Sequence, residues 1–276
     1  MSVTIRRKDS VTSIILFLFN VFLLPQGRDS IALGRLLDLA SVFGKSESAV
    51  RMALSRAVEN DLLLKTAGDT GIVYSLTQRG KRHLDNWWET MRRYQQRAEM
   101  QKTEWNGQWY YISLFVPEEK SESREELLQL ISSLGFGNLN RGLWISPYDF
   151  MSVVDEKANE LGLGKHVLLV KGQFIGKHDV EQITKRVWNL DGLKEKYLEL
   201  SSRLERVVSL DSREPKYVLP LLHTLGMEIM SLMSVDPALP SELLQEDWPG
   251  GECLGMFLRL RDQLLPKAQA YVNSII

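Results

Sequence analysis

The feature that most constrains this fold is a run of short elements over residues 30–78. Residues 30–40 predict a helix, Gly44 marks a turn, and a further helix begins after Ser46, whose hydroxyl can cap it. Residues 62–78 then predict a two-stranded hairpin, because β-prone runs flank a Gly-rich turn. Helix, turn, helix and hairpin in this order indicate an N-terminal winged helix-turn-helix.

The helix after Ser46 has one apolar face and one short, basic face. Its apolar residues follow the spacing of a single helical stripe: Val50, Ala53, Leu54, Ala57 and Val58. The opposite face suits entry into a major groove, where arginines bond guanine edges or phosphates. We therefore predict these DNA-binding residues: Lys45, Ser46, Ser48, Arg51, Met52, Ser55, Arg56, Lys65 and Arg79, with Lys81 and Arg82 as further phosphate contacts. Glu59 and Asp61 fit this surface badly and are expected beyond its DNA-contacting end.

Charge is divided along the chain in a way that favours this interpretation. The formal net charge of the 276 residues is −1. Residues 1–103, however, hold 16 Lys and Arg against 10 Asp and Glu, whereas residues 104–276 hold 18 against 25. A basic N-terminal part can face double-stranded DNA while the acidic remainder stays clear of it.

The first predicted helix, residues 10–24, is apolar nearly all round. It follows a basic segment as in a signal peptide, but it lacks a cleavage site and is shorter than the roughly 20 residues of a membrane span. We expect a cytoplasmic protein without a membrane partner. Such a helix is either wrapped by its own domain or shared with a second subunit. Together with an aromatic stripe at Trp87, Met91 and Tyr94 on the predicted helix 78–102, it suggests a homodimer.

The rest of the chain predicts two further domains, so the fold class is α+β. Residues 103–176 alternate as β-α-β-β-α-β, the ferredoxin-like order. From Trp188 onward the periodicity is helical. The predicted domains are therefore 1–102, a winged helix-turn-helix with a long linking helix; 103–176, a ferredoxin-like domain; and 177–276, a helical C-terminal domain.

Catalytic and metal-binding patterns are absent from the sequence. The single cysteine, Cys253, excludes an intrachain disulfide and is expected to be a small buried residue. The four histidines lack metal-ligand spacing, and no Gly-x-Ser-x-Gly elbow occurs. We predict a protein that is not an enzyme and that has no metal and no cofactor.

Several motifs resemble the PaaX family, the phenylacetate-catabolism repressors. The similarity begins in the run 46–56 and continues through 74–80, 105–109 and 134–137. It extends to Arg141-Gly142-Leu143-Trp144-Ile145-Ser146-Pro147, Asp236-Pro237-Ala238-Leu239-Pro240 and Asp247-Trp248-Pro249-Gly250. These motifs cover almost the whole chain in the family's order.

The resemblance implies a dimeric repressor with a Cas2-like middle domain, released from its operator by an aryl-acyl-CoA thioester, typically phenylacetyl-CoA. The alternative is a metal-dependent nuclease or toxin–antitoxin-like module built on the middle domain. One position departs from the family: Phe115 stands where an acidic residue usually ends the first middle-domain strand. That acidic position can bind metal in the Cas2 fold, so Phe115 argues against hydrolysis by this route.

The residues that would bind the effector are not identified by the sequence. Candidates for CoA phosphates are Arg141, Lys171, Arg213 and His223, and nothing selects among them. Five tryptophans could stack an aromatic acyl group or adenine, although anchoring domain junctions is their more common role: Trp105, Trp109, Trp144, Trp188 and Trp248.

Overall fold

The structure is a computed structural model, and it describes residues 10–69, 71–174, 180–208 and 214–276. The helices are α1 (Val11–Leu18), α2 (Leu33–Ser41), α3 (Glu47–Glu59), α4 (Gln78–Met100), α5 (Ser121–Ser133), α6 (Met151–Glu160), α7 (Val180–Trp188), α8 (Leu190–Val208), α9 (Pro215–Met233) and α10 (Gly250–Ile275). The strands are β1 (Ser30–Ala32), β2 (Leu63–Gly68), β3 (Gly71–Leu76), β4 (Trp109–Leu114), β5 (Gly137–Asn140), β6 (Leu143–Ser146) and β7 (Val167–Gly172).

The chain divides into two compact units, neither of which is one continuous segment. Unit 1 contains Met1–Trp88, Ser201–Ile229 and Leu254–Ile276, and unit 2 contains Glu89–Leu200 and Met230–Cys253. Most of α9 and α10 therefore belongs with the N-terminal elements. The predicted domain boundary at 102/103 stays a prediction, and the one at 176/177 lies outside the described residues.

Helix α1 is buried inside unit 1. Of the two alternatives for this apolar helix, it is therefore wrapped by its own domain and not shared with a second subunit. Ile15, Leu16 and Leu18 are completely buried, and α1 packs on α2 and α3. The helix continues as a π-helical turn, Phe19–Leu23, and a 3-10 turn that ends at Gly27 with φ 72°. Its own unit wraps α1, so α1 offers no exposed face to a second subunit.

A three-stranded antiparallel sheet completes the N-terminal part of unit 1, in the order β1-β3-β2. The hairpin β2–β3 confirms the predicted ribbon, with Gly68 opposite Gly71. The prediction of helix for residues 30–32 was wrong, because Ser30–Ala32 forms β1 and pairs with Val73–Ser75. A three-residue strand is too short for its periodicity to stand out from the helix that follows it.

Unit 2 is built on a four-stranded antiparallel sheet in the order β5-β6-β4-β7. This is the sheet of the ferredoxin-like fold, and it confirms the predicted β-α-β-β-α-β order. One sheet face buries Tyr110, Ile112 and Leu114 against α5 and α6. The other face carries Trp109 and Ile145, which pack with Leu190, Leu239 and Leu243.

The tryptophans of unit 2 pack on one another and on other apolar residues of that unit. Trp109 is 1% exposed, and its ring lies 6.4 Å from that of Trp188 at an interplanar angle of 18°. Trp105 meets Trp109 edge-on, and Trp248 meets Tyr197 in the same way. These rings fill the core of the unit rather than an open ligand site.

Within the part of the chain that the structure describes, no helix is long and apolar enough to cross a membrane.

Candidate nucleic-acid interface

Local sequence fixes where α3 begins. Gly44 ends the turn after α2 in a left-handed conformation, with φ 68°, which costs glycine little. The Oγ of Ser46 then accepts a hydrogen bond from the backbone N–H of Ala49 at 3.3 Å, so Ser46 is the N-cap as predicted. Glu47 occupies the first turn, where its negative charge interacts favourably with the helix dipole.

The two faces of α3 are distributed as the periodicity predicts. Val50, Ala53, Leu54 and Ala57 are buried, and the last residue of the stripe, Val58, is half-buried. On the opposite face Met52 is 60% exposed, with serines and arginines around it. The predicted contact residues are exposed except Lys45, which is half-buried: Ser46, Ser48, Arg51, Met52, Ser55, Arg56, Lys65 and Arg79.

Acidic side chains of α3 hold two of these polar residues. Arg51 donates from Nε and Nη2 to the same Oε1 of Glu47, at 2.8 and 2.6 Å. The Oγ of Ser55 donates to Oε1 of Glu59 at 3.0 Å. Glu59, at the C-terminal end of α3, thus contacts one residue of the predicted surface, and Glu47 is bound to the central arginine of that surface.

The hairpin adds exposed basic groups beside α3. Lys65 lies on β2 opposite Tyr74 of β3, and Arg79 lies in the first turn of α4. Lys81, two residues further, donates to Oδ2 of Asp29 at 2.8 Å, and this bond lowers the pKa of the Asp29 carboxyl. Lys81 is therefore already paired within unit 1, whereas Lys65 and Arg79 face solvent.

A buried polar network in unit 2 escaped the sequence analysis. The Arg97 guanidinium is 2% exposed and donates to three backbone oxygens, those of Ser133, Asp236 and Pro237, at 2.7, 2.9 and 3.1 Å. The Tyr197 hydroxyl donates to Oδ2 of Asp236 at 2.6 Å.

The carboxylate of the network also shapes a turn. The backbone N–H of Ala238 donates to Oδ1 of Asp236 at 2.7 Å, and Ala238 has a left-handed φ of 50°. The only sequence signal for this network was the motif at 236–240, which showed no link to α4.

Burial governs the titration of this network. Desolvation raises the pKa of the Asp236 carboxyl, although Tyr197, Ala238 and Arg97 oppose the shift. Desolvation also lowers the pKa of the Arg97 guanidinium, with the charge of Asp236 opposing. Each group is expensive to bury in its charged form, and each offsets part of the other's cost.

The aromatic stripe proposed for dimerisation is not an exposed surface. Tyr94 is 5% exposed and lies in unit 2, where burial raises the pKa of its hydroxyl. Trp87 and Met91 are half-buried. The expectation that Tyr94 contributes to a subunit contact was therefore wrong, because residues of the same chain already cover its ring.

The four candidates for effector phosphates differ in accessibility. Arg141 and Lys171 are exposed in unit 2, with the Lys171 ammonium 5.7 Å from the ring centre of Tyr110. His223 is 3% exposed, contacts the Oγ of Ser13 at 3.1 Å and has Phe17 beside it. It cannot meet a surface phosphate as it stands. Arg213 lies outside the described residues.

A cleft in unit 2 has the size of a small-molecule site. Its volume is about 400 Å³, within the range of about 300–1,000 Å³ typical of such sites. Its lining combines apolar and hydrogen-bonding side chains: Thr90, Arg97, Glu125, Leu128, Gln129, Ser132, Ser133, Met233 and Ser234. The lining could enclose a compact group that has both apolar and polar parts.

Phe115, the position that bears on hydrolysis, is strongly exposed. It follows β4 directly, its side chain is 72% exposed, and its backbone N–H donates to the His166 carbonyl at 2.9 Å. Among the residues in the described ranges, no group of three or more His, Cys, Asp or Glu side chains is arranged to hold a metal ion.

Three family models match successive parts of the chain. Residues 10–80 match the PaaX-like protein model, residues 102–184 the PaaX protein central Cas2-like domain, and residues 188–274 the PaaX-like protein C-terminal domain. The chain is 26% identical over 273 residues to the transcriptional repressor PaaX of Escherichia coli (strain K12), covering 96% of this chain and 84% of the relative.

A solved structure has a similar fold. It is the uncharacterized protein Rv0674 from Mycobacterium tuberculosis, with a TM-score of 0.59 and 20% identity. The similarity covers 95% of this chain and 99% of the other. At this identity it supports the fold alone.

Proposed function

Because this chain belongs to the PaaX family, we propose that it is a DNA-binding transcriptional repressor whose α3 lies in the major groove of its operator. The observation that carries the proposal is the exposed face of α3. Arg51, Met52 and Arg56 point away from the apolar stripe, which is buried from Val50 to Ala57, on a helix that follows α2 through a tight turn. In this proposal α2, α3 and the hairpin β2–β3 form a winged helix-turn-helix, and Lys65 and Arg79 contact phosphates.

A specific operator tests this assignment. Removing a bidentate guanine contact costs about 1–3 kcal/mol of discrimination, so Arg51→Ala is expected to weaken operator binding about tenfold while changing random-duplex binding far less. Fluorescence anisotropy with a selected operator and a scrambled duplex measures both affinities. Equal loss on the two duplexes would move Arg51 to a phosphate-contact role, and an unchanged affinity would remove it from the interface.

Two copies of the chain are expected to bind one operator. A two-fold dimer places two recognition helices on half-sites about one helical turn, or a multiple of it, apart. The operator should therefore be an inverted repeat. The support is this general geometry of helix-turn-helix proteins, since neither α1 nor Tyr94 is exposed enough to serve as the contact. Sedimentation of the protein with one operator duplex determines the stoichiometry.

The repressor is proposed to control an aromatic-acid catabolic operon and to leave DNA when an aryl-acyl-CoA such as phenylacetyl-CoA binds. The effector class is what the resemblance of the sequence motifs to the phenylacetate-catabolism repressors implies. Release requires that the thioester bind the DNA-free conformation more tightly than the DNA-bound one, by about 1.4 kcal/mol for each tenfold loss of operator affinity. A gel-shift titration with phenylacetyl-CoA, with free CoA as control, measures this coupling; unchanged affinity would reject it.

The proposal assigns the acyl part of the effector to the cleft of unit 2. Leu128 and Met233 provide apolar contacts there, and three serines provide hydroxyls. Ser132→Trp would fill the cleft from its exposed edge, so operator binding should persist while the response to thioester falls. Glu122→Trp, exposed in the first turn of the same helix and not among the residues that line the cleft, is the matched control.

The repressor assignment also makes a negative prediction about chemistry. Duplex and single-stranded DNA incubated with the protein and divalent metal should remain intact. Cleavage that chelator abolishes would favour the nuclease alternative, despite Phe115 at the end of β4.

A further inference from the structure

The hydrogen bonds from Arg51 to Glu47 occupy one edge of the arginine guanidinium. An arginine has two bidentate edges, one formed by Nε with Nη2 and the other by Nη1 with Nη2. Both hydrogen bonds to Glu47 come from Nε and Nη2, at 2.8 and 2.6 Å, and both reach the same oxygen. The side edge is therefore occupied, while the end edge points away from the carboxylate.

The pair contributes little to folding. The side chains of Arg51 and Glu47 are 50% and 63% exposed, and exposed ion pairs on one helix stabilise proteins only weakly. The buried stripe on the other face of α3 holds the helix in place instead. Changing either residue is therefore expected to alter the stability of the fold only slightly.

We infer that Glu47 is a positioning residue for Arg51, fixing the guanidinium so that its end edge meets a guanine of the operator. The inference rests on the proposed function, in which α3 reads DNA. When one edge of the planar guanidinium is held, the direction of the other edge is fixed. The arginine side chain therefore loses less conformational freedom when it binds a base. End-on donation from both terminal nitrogens matches the O6 and N7 acceptors of guanine.

The charge of Glu47 has a second effect on the same surface. A carboxylate at the N-terminal end of α3 repels the phosphates of any duplex, and this opposes non-specific binding. Only a site that places a guanine opposite Arg51 offsets the repulsion. Glu47 thus raises the preference for one base pair at the expense of general affinity.

The surroundings of the pair leave room for such a contact. Ser48 and Met52 are the exposed side chains next to Glu47 and Arg51 on α3, and neither carries a charge. The Oγ of Ser48 lies 3.1 Å from that of Ser46, at the start of the helix. Neither residue is an ionic competitor for the guanidinium.

The test begins with selection of binding sites from random duplexes by the full-length protein. Arg51→Ala then identifies the base pair whose preference depends on Arg51, by comparing operators changed one pair at a time. Failure to enrich any sequence would overturn the proposed function and the inference with it. Enrichment without dependence on Glu47 would overturn the inference alone.

Glu47→Ala is expected to lose about fivefold of the preference at the pair identified with Arg51→Ala, and to bind scrambled duplex at least as tightly as the wild type. Glu47→Gln keeps an acceptor oxygen without the charge and should lose less. The double variant should lose no more of the preference at that base pair than Arg51→Ala loses, because both changes act on the same contact.

Glu59→Ala is the matched control, since Glu59 is an exposed acid at the other end of α3 that contacts Ser55 and not Arg51. It should leave the preference at the Arg51-dependent pair unchanged. Wild-type preference in both Glu47 variants, or losses that add to that of Arg51→Ala, would overturn the inference. Thermal unfolding of each variant confirms that the compared proteins are folded.

Discussion

Two arginines, one in each compact unit, associate with carboxylates in opposite surroundings. Arg97 in unit 2 is 2% exposed, and its donors are bound by three backbone oxygens beside the buried Asp236. Arg51 in unit 1 is half-exposed and bonds one oxygen of Glu47. The two guanidinium groups are chemically identical, but that of Arg97 is buried in protein and that of Arg51 is in contact with water.

The difference in exposure to water determines which of the two arginines can change its partners to bind a ligand. A buried charge must keep all its partners, because losing one leaves an uncompensated charge in a medium of low dielectric constant. Arg97 is therefore part of the architecture. An exposed charge loses little when its partner changes, since water replaces the lost bond. Arg51 can exchange or extend its contacts, as the proposed binding of α3 to DNA requires.

The largest expected effect is the loss of the buried arginine. Arg97→Met keeps most of the side-chain length but leaves Asp236 without its cation and three carbonyls without donors. We expect the free energy of unfolding to fall by about 3–5 kcal/mol. Urea denaturation measures it. Arg92→Met is the control on the same helix, because Arg92 is 62% exposed in its pair with Glu89; a similar loss there would erase the distinction between the two environments.

A smaller effect is expected at the cap of α3. Ser46→Ala removes the acceptor for the Ala49 N–H, and losing an N-cap of this kind costs about 1 kcal/mol. Circular dichroism during urea denaturation measures the loss. Ser41→Ala, which removes an exposed hydroxyl bonded to the Asp38 carbonyl outside any N-cap, should cost less. Equal losses would show that the cap does not define the start of α3.

The smallest effect concerns a half-buried ion pair of unit 1, Lys81 with Asp29. Lys81 lowers the pKa of the Asp29 carboxyl below its ordinary 3.8, so the unfolded chain binds this proton more readily than the folded one. The stabilisation is present at neutral pH and is lost as the pH falls below about 4. Asp29→Asn should therefore cost only a few tenths of a kcal/mol at pH 7, because both side chains remain partly in contact with water.

The pH dependence distinguishes this pair from a general effect of lost charge. The difference in unfolding free energy between wild type and Asp29→Asn should shrink as the pH is lowered from 7 to 3. Asp38→Asn, at an exposed position of α2, serves as the comparison. A difference for Asp29→Asn that stays constant across this range would show that Lys81 does not act through the charge of Asp29.

Features that depend on neighbouring residues were predictable from the sequence. The buried stripe of α3, its cap at Ser46 and the hairpin after it each rest on a few consecutive positions, and the structure contains all three. The same holds for the strands and helices of unit 2, which follow each other in the order β-α-β-β-α-β. β1 was missed because Ser30–Ala32 acquires its strand conformation from pairing with β3.

Features that depend on distant residues were not predictable. Arg97 meets the carbonyl of Asp236 across 139 positions, and no single sequence shows that the two approach each other. The contact of His223 with Ser13 spans 210 positions, so a residue considered as a surface cation is a buried one. Within α3 the bond from Arg51 to Glu47 is local, but periodicity identifies faces and not the partners of individual donors.

The composition of unit 1 has a consequence for how the protein is made. Its N-terminal helix α1 is covered partly by α9, through Ser13 and His223, and Gln26 bonds Asn273 of α10 at 3.1 Å. Helix α1 leaves the ribosome before α9 and α10 do. During translation the apolar surface of α1 therefore lacks these contacts until the later helices are made, so we expect the N-terminal elements of unit 1 to be among the last parts of the protein to reach their native state.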